Sequence, residues 1–162
     1  MDMDKFIQEV NAVDWHEFGG SIYYKPEKVA DSLIALATAE NELNNIYFDV
    51  EFAIGNSHCG TYYPAVRKAL PLIIDVALNS KYLNSKKCAI DILVDLYYFC
   101  PECDDDRDSE EELMKFVKKT IENMIVENKN YLIKFDDEYC ATKISPIKDL
   151  LEIIDGEGSW YI

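Results

Sequence analysis

Apolar side chains recur every three or four positions along most of this sequence, a spacing that predicts amphipathic α-helices. No run alternates between apolar and polar residues as a half-buried strand would, so the pattern predicts an all-α fold with short turns. The predicted helices cover residues 4–13, a segment from 26 or 27 onward, 40–54, 64–78, 85–99, a segment that follows a capping box at Ser109 and Glu112, and a segment that begins at Pro146. Residues 131–133 either continue the sixth of these helices or begin another short one.

The middle of the sequence, residues 55–78, combines a turn with a proline-containing helix. Gly55 and Gly60 favour turn conformations and end the third predicted helix. Pro64 can open the next helix, because the first helical position needs no N–H donor. Pro71 lies inside that helix and removes one backbone hydrogen bond, so we expect a bend there.

Two segments recur at distances typical of helical repeats. Residues 33–37 resemble residues 73–77, 40 positions later, and residues 46–52 resemble residues 92–98, 46 positions later. Periods of about 40 to 47 residues with two helices per unit are typical of HEAT and armadillo repeats. The sequence therefore predicts a single domain over residues 1–162, a short HEAT/armadillo-like stack of antiparallel helical pairs that forms an α-α superhelix.

The excess of acidic over basic residues limits the kinds of molecule that this chain can bind. The 162 residues include 31 Asp and Glu but only 16 Lys and Arg, which gives a net charge of −15. Such a chain repels polyanions, which argues against binding of DNA or RNA, and it attracts basic proteins. The alternative is that the acidity only keeps the protein in solution.

Membrane and export signals are not evident in the sequence. The longest uncharged apolar run, residues 69–74, is far short of the roughly 20 residues that cross a bilayer. The opening residues, MDMDKFIQEV, are acidic and lack the basic-then-apolar pattern of a secretory signal. The five cysteines are an odd number for a disulfide-bonded secreted domain. Together these features predict a cytoplasmic protein with reduced thiols and no membrane partner.

Polar and aromatic side chains on the third and fifth predicted helices form the candidate partner-binding surface. Residues 45, 48, 49 and 52 fall on one side of the third helix, and residues 91, 94, 95 and 98 repeat that spacing on the fifth. Carboxylates pair with Lys or Arg of a partner, and aromatic rings supply much of the energy of an interface. The alternative is that the apolar members belong to the core and the aspartates are only solvated. The predicted partner-binding residues are Asn45, Asp49, Phe52, Asp91, Asp95 and Tyr98.

Cysteines and histidines offer a rival hypothesis. Cys100 and Cys103 form a C-x-x-C pair, which could act as a redox dithiol or, with His58 and Cys59, supply four zinc ligands. The adjacent His58 and Cys59 are poorly placed to bind one ion, and no second tight pair accompanies the first. The sequence has no phosphate-binding glycine loop and no nucleophile motif, so we expect no metal, no cofactor and no enzymatic activity. A metal-dependent or thiol enzyme built on these four residues stays open as the rival.

The turn and the proline-containing helix resemble a known group of proteins. Residues 58–65, His-Cys-Gly-Thr-Tyr-Tyr-Pro-Ala, and residues 69–73, Ala-Leu-Pro-Leu-Ile, resemble the His-x-Gly-Thr-x-Tyr-Pro-Ala turn and the Ala-x-Pro helix of bacterial HEAT-like proteins. The resemblance extends over about residues 15–99. That group includes immunity proteins of bacterial toxin systems, among them contact-dependent growth inhibition.

The resemblance implies that this chain neutralises a cognate toxin by binding to it. We expect the partner to be the C-terminal domain of the toxin, a basic protein with nuclease activity, because nucleases need cationic surfaces to hold phosphates. A monomer would bind in a 1:1 complex and cover the active site or the substrate-binding surface. The alternative is a HEAT-like adaptor that binds another basic protein or peptide.

Overall fold

The computed structural model describes residues 1–19, 21–40, 43–103, 109–139 and 145–155. Seven α-helices account for most of these residues, and three very short strands form one sheet. The helices are α1 Met3–Asn11, α2 Pro26–Ala37, α3 Leu43–Ile54, α4 Val66–Asn79, α5 Leu83–Tyr98, α6 Glu110–Tyr139 and α7 Pro146–Asp155; the strands are β1 Gly55–Asn56, β2 Thr61–Tyr62 and β3 Cys100–Pro101; a 3₁₀ turn covers Trp15–Glu17.

Local sequence signals set several helix ends. The Asp2 carboxylate accepts hydrogen bonds from backbone N–H groups in the first turn of α1 and so caps that helix. Pro26 begins α2, where its missing N–H has no helical partner to lose. Ser109 Oγ accepts a hydrogen bond from the N–H of Glu112, as expected of the first residue in the predicted capping box. These ends follow from the residue types alone.

Successive helices pack as pairs: α2 against α3, α4 against α5 and α6 against α7. This arrangement confirms the all-α class and the packed helical pairs. One apolar cluster contains residues from all seven helices. α5 is the central helix, since it contacts α2, α3, α4, α6 and α7. Its fully buried side chains include Cys88, Ala89, Ile90, Ile92, Leu93 and Leu96.

The short sheet is a feature that the apolar pattern does not predict, because strands of two residues are too short for alternation to show. β1 pairs antiparallel with β2, and β2 pairs parallel with β3. The predicted turn is thus a tight hairpin, in which Gly60 adopts a left-handed φ of 64°. The N–H of Cys100 donates to the Gly60 carbonyl at 2.9 Å. The sheet therefore fastens the hairpin to the segment that follows α5.

Two prolines near and within α4, and one asparagine within α6, interrupt the helical pattern of the sequence. Pro64 does not open α4 as expected; it lies in the turn before the helix. Pro71 lies inside α4 and is exposed. Within α6, Asn128 has non-helical angles (φ −116°, ψ 15°), so two helical segments meet just before residues 131–133. α7 begins at Pro146, as predicted.

Some predicted features lie outside the described residues. These are residues 41 and 42 of the third predicted helix and Cys140, one of the five cysteines; residues 104–108 and 156–162 also lie outside the described part of the chain. In the part of the chain that the structure describes, no helix is both long enough and apolar enough to cross a membrane.

Candidate protein-binding face

α3 presents a row of aromatic rings to solvent. Phe48 and Phe52, one helical turn apart, are 46% and 38% exposed. Their ring centroids are 6.4 Å apart, and the His58 ring extends the row at 4.9 Å from Phe52. At the other end, Phe48 packs edge-on against the half-buried Tyr47 ring at 5.1 Å. The aromatic row, defined as Phe48, Phe52 and His58, is a surface of aromatic rings that is exposed in the free chain.

The β1–β2 hairpin places the last member of the aromatic row. The N–H of Tyr63 donates to the Ile54 carbonyl at 2.7 Å, so the chain turns back directly at the end of α3. At the hairpin tip, Ser57 Oγ donates a hydrogen bond to the Glu51 carboxylate. Ser57 is thereby tied to α3, and the next residue, His58, packs on that helix.

Two shallow grooves flank Phe52. One groove, about 400 Å³ in volume, lies between α2 and α3, and its lining includes Asp49 and Lys28 beside Phe52. The other groove, about 350 Å³, is lined by Phe52, His58 and the exposed Tyr23. Phe52 forms a wall of both grooves, so it lies at the centre of this surface.

Behind the aromatic row, a partly buried acidic contact joins α3 to α5. The Tyr47 hydroxyl donates to the Asp95 carboxylate across the two helices. Glu51, one turn after Tyr47, is only 3% exposed. Its Oε1 atom has no hydrogen-bond partner within the described ranges. Burial raises the pKa of Glu51 to about 7; the Ser57 hydrogen bond opposes this rise and the Asp95 carboxylate adds to it. Glu51 therefore carries only part of a full charge near neutral pH.

Asp91 lies one turn before Asp95 on α5, where α7 also packs. Burial, together with the nearby Asp95 and Asp149 carboxylates, raises the pKa of Asp91 to about 6. Cys88, one turn earlier, is a core residue, and burial raises the pKa of its thiol to about 12. The acidic side of α5 is thus partly covered by its neighbours rather than open to solvent.

The predicted partner-binding residues of α3 face solvent. Asn45 and Asp49 are exposed, and Phe52 keeps more than a third of its surface in water. Asp49 and Phe52 meet in the groove that α3 shares with α2. The structure therefore brings these two predicted residues together with the aromatic row.

The predicted residues of α5 occupy a different setting. Asp95 is half-buried and bonded to Tyr47, and Asp91 is half-buried beside α7. Tyr98 is 41% exposed and packs edge-on against Tyr97 at 5.4 Å. Asp95 thus reaches α3 through a bond inside the fold, while Tyr98 offers an exposed ring near the end of α5.

Glu51, Ser57 and His58 belong to this region although the partner-binding prediction omits them. A signal for Glu51 is present in the sequence. Residues 47, 51 and 54 share one side of a helix at spacings of four and three, which places a carboxyl group within an apolar stripe. Ser57 and His58 give no such signal, because their positions depend on the hairpin.

The structure does not gather the four residues of the rival hypothesis into a metal-binding cluster. Among the described residues, Cys59, Cys100 and Cys103 form no disulfide bond, and His58 packs on Phe52. Across the described residues, no group of three or more His, Cys, Asp or Glu side chains is arranged to hold a metal ion. Cys100 instead pairs with β2 in the sheet.

The described residues define an all-α protein of packed helical pairs with an exposed aromatic face on α3. Comparisons with protein families, with curated proteins and with solved structures gave no match. This face and the charge of the chain are therefore the features that bear on function.

Proposed function

We propose that this chain is an immunity protein that binds a cognate toxin domain and neutralises it. The partner is the basic C-terminal domain of the toxin, a nuclease, and the aromatic row is the centre of the contact. One observation carries the proposal: Phe48 and Phe52 are exposed side by side on a strongly acidic chain. One monomer binds one toxin domain.

The two phenylalanines supply the energy of the contact. Complete burial of a large apolar side chain contributes about 1.5–3 kcal/mol relative to full exposure. Phe48 and Phe52 are each only partly buried in the free chain, so both have apolar area left to remove from water. Aromatic residues are enriched at the buried centre of interfaces, where a few side chains carry most of the binding energy. The grooves beside Phe52 give a partner side chain a place to pack.

Electrostatics supports a basic partner. A nuclease holds phosphates with a cationic surface, and the net charge of −15 attracts such a surface and speeds encounter. Asp49 is exposed beside Phe52, so it can pair with Lys or Arg at the edge of the aromatic contact. Asp91 and Asp95 are half-buried, so they act mainly through the long-range electrostatic field that attracts the basic partner.

The toxin is inhibited because this chain occupies its substrate-binding surface. An acidic face that covers the substrate surface of the toxin places carboxylates where the nucleic acid would place phosphates. The chain then acts by stoichiometric binding and needs no catalytic group of its own.

Reconstitution with the C-terminal domain of the cognate toxin tests this function. The toxin C-terminal domain and this chain are mixed, and complex formation is followed by size-exclusion chromatography with light scattering. We expect a 1:1 complex and loss of nuclease activity at one equivalent, with no inhibition of a nuclease domain from an unrelated toxin. Failure to form a complex contradicts the proposal. A complex with undiminished nuclease activity also contradicts it and favours the adaptor.

A further inference from the structure

The turn of the β1–β2 hairpin lies against a buried carboxyl group of α3. We call residues 57–60, the turn between the two strands, the hairpin tip. Two contacts tie the hairpin tip to α3: Ser57 Oγ donates to Glu51 Oε2, and the His58 ring packs on Phe52. His58 and Cys59 are themselves exposed. The hairpin tip is therefore a surface segment whose movement would leave the core in place.

The site that holds Glu51 suits a neutral carboxyl group better than a carboxylate. Glu51 is 3% exposed, and its Oε1 atom has no hydrogen-bond partner within the described residues. Burial without a partner penalises a charged group far more than a neutral one. When Glu51 loses its proton, the closed site becomes unfavourable, and access of water to Oε1 would relieve it.

α5 presents acidic and neutral groups to Glu51. Burial and, after it, the Asp95 carboxylate raise the pKa of Glu51, and Asp95 also accepts the hydrogen bond of Tyr47. Cys88 is a core thiol whose pKa is raised by burial and by the Asp91 and Glu51 carboxylates, so it stays neutral. A negative charge on Glu51 therefore meets a second carboxylate across the α3–α5 contact.

α2 also packs on α3, but it does so on another side of the helix. Residues 49 and 51 point to nearly opposite sides of a helix. Lys28 and Asp31 of α2 line the groove that contains Asp49, so they do not face Glu51. From the hairpin, the titratable ring of His58 packs on Phe52, which leaves the Ser57 hydroxyl as the group that contacts Glu51.

We propose that the hairpin tip is a pH-sensitive latch, which is closed on α3 while Glu51 is protonated and is released when Glu51 ionises. The pKa of Glu51 is about 7 in the closed chain and 4.5 for an ordinary glutamate in water. The closed state therefore binds the proton more tightly than the open state. Closure is strongest below about pH 4.5 and weakens as the pH rises to about 7. Release takes His58 away from Phe52 and so shortens the aromatic row.

Exchange of the Gly60 amide hydrogen with water, followed by NMR, tests the latch in the free chain. This N–H donates to the Ser57 carbonyl at 3.3 Å, and rotation of the Ser57 backbone on release would break that bond. We expect its protection factor, corrected for the intrinsic exchange rate, to fall by about tenfold or more between pH 5 and pH 8. In Glu51→Gln, which cannot ionise, the change should be less than about twofold. Glu127→Gln, at an exposed position of α6, is the matched control and should behave like wild type.

Two results of this experiment overturn the proposal. One is the same pH dependence in wild type and Glu51→Gln. The other is a Gly60 protection factor equal to that of the buried Ile73 amide of α4 at every pH, because the hairpin tip would then open only when the whole chain unfolds.

The variant Ser57→Ala tests the tie between the hairpin tip and α3 without a change at Glu51. At pH 5, where the wild-type tip is closed, we expect the Gly60 amide to exchange about threefold or more faster in Ser57→Ala, because one hydrogen bond to α3 is lost. Ser109→Ala, which removes a hydroxyl at the start of α6, is the matched control and should leave the rate unchanged. An unchanged rate in Ser57→Ala, or an equal increase in Ser109→Ala, would also overturn the proposal.

Discussion

Glu51 is a buried carboxyl group behind the candidate face. Its carboxyl group faces Ser57 from the hairpin and Tyr47 and Asp95 at the α3–α5 contact, and it is almost fully buried. Burial raises the pKa of Glu51 from 4.5 to about 7, so the folded chain binds this proton more tightly than the unfolded chain. The free energy of unfolding must then fall as the pH rises from about 4.5 to about 7. Asp91, whose pKa is also raised, contributes with the same sign.

The variant Glu51→Gln isolates this effect, because Gln keeps the shape and cannot ionise. We expect the free energy of unfolding of the variant, measured relative to that of the wild-type chain, to increase by about 2 kcal/mol between pH 5 and pH 8. The reason is that only the wild-type side chain ionises in the buried site as the pH rises. Urea unfolding at pH 5, 6.5 and 8 measures the difference. Glu127→Gln, at an exposed position of α6, is the matched control and should show no such trend.

A difference between Glu51→Gln and wild type that stays constant across this pH range would show that Glu51 ionises normally in the folded chain.

Residue type and spacing predict part of this site. Phe52 and Asp49 are on the predicted side of their helix and are exposed. The spacing also places Asp95 on the outer side of its helix, but its bond to Tyr47 depends on how α3 lies against α5. The spacing of residues along one helix does not show how two helices lie against each other.

The β1–β2 hairpin is the element that sets the end of the aromatic row, and Gly55 is its most constrained residue. A Cβ at Gly55 would lie 2.2 Å from the Thr61 carbonyl oxygen and 2.9 Å from the Tyr62 Cα. Backbone atoms of the paired strand cannot move away without breaking the hairpin.

Gly55→Ala should therefore lower the free energy of unfolding by about 2–3 kcal/mol or more through overpacking. Gly60→Ala is the matched comparison, because its Cβ would meet only the Phe99 ring at 3.6 Å and its cost comes from the left-handed φ. That cost is about 1–2 kcal/mol. Urea unfolding of both variants measures the two values. A Gly55→Ala variant as stable as Gly60→Ala would contradict the close strand pairing described here.

The ends of helices were predictable from the sequence where a single proline sets them. Pro26 and Pro146 begin helices, and Pro101 follows the end of α5, because proline tolerates only certain helix positions. The sheet was not predictable, since its strands pair through backbone groups over two residues each. The sequence leaves open whether residues 131–133 continue the sixth helix or begin another, and only the backbone angles of Asn128 locate the break in α6.

The whole molecule is built around α5, which contacts five other helices. The 46-residue repeat predicts equivalent outer sides for α3 and α5. In the structure α7 and α3 pack on α5, so its aspartates are half-buried while the α3 side chains stay open. This difference arises from contacts between distant segments, which is why the repeat could not reveal it.

The charge of the whole chain and the aromatic row of one helix together define the proposed binding face. The net charge of −15 brings a basic partner to the chain, and the exposed phenylalanines decide where it docks. Removal of the two rings should then cost affinity without changing the net charge.

The dissociation constant of the double variant Phe48→Ala/Phe52→Ala for the toxin C-terminal domain tests this claim most directly. Isothermal titration calorimetry should show an increase in the dissociation constant of about 100-fold or more relative to the wild-type chain, because truncation of each of the two central anchors costs about 2 kcal/mol. Val126→Ala, which truncates a residue of α6 that is 64% exposed, is the control and should bind like wild type. An unchanged dissociation constant for the double variant, or an equal loss in Val126→Ala, would place the contact elsewhere on the molecule.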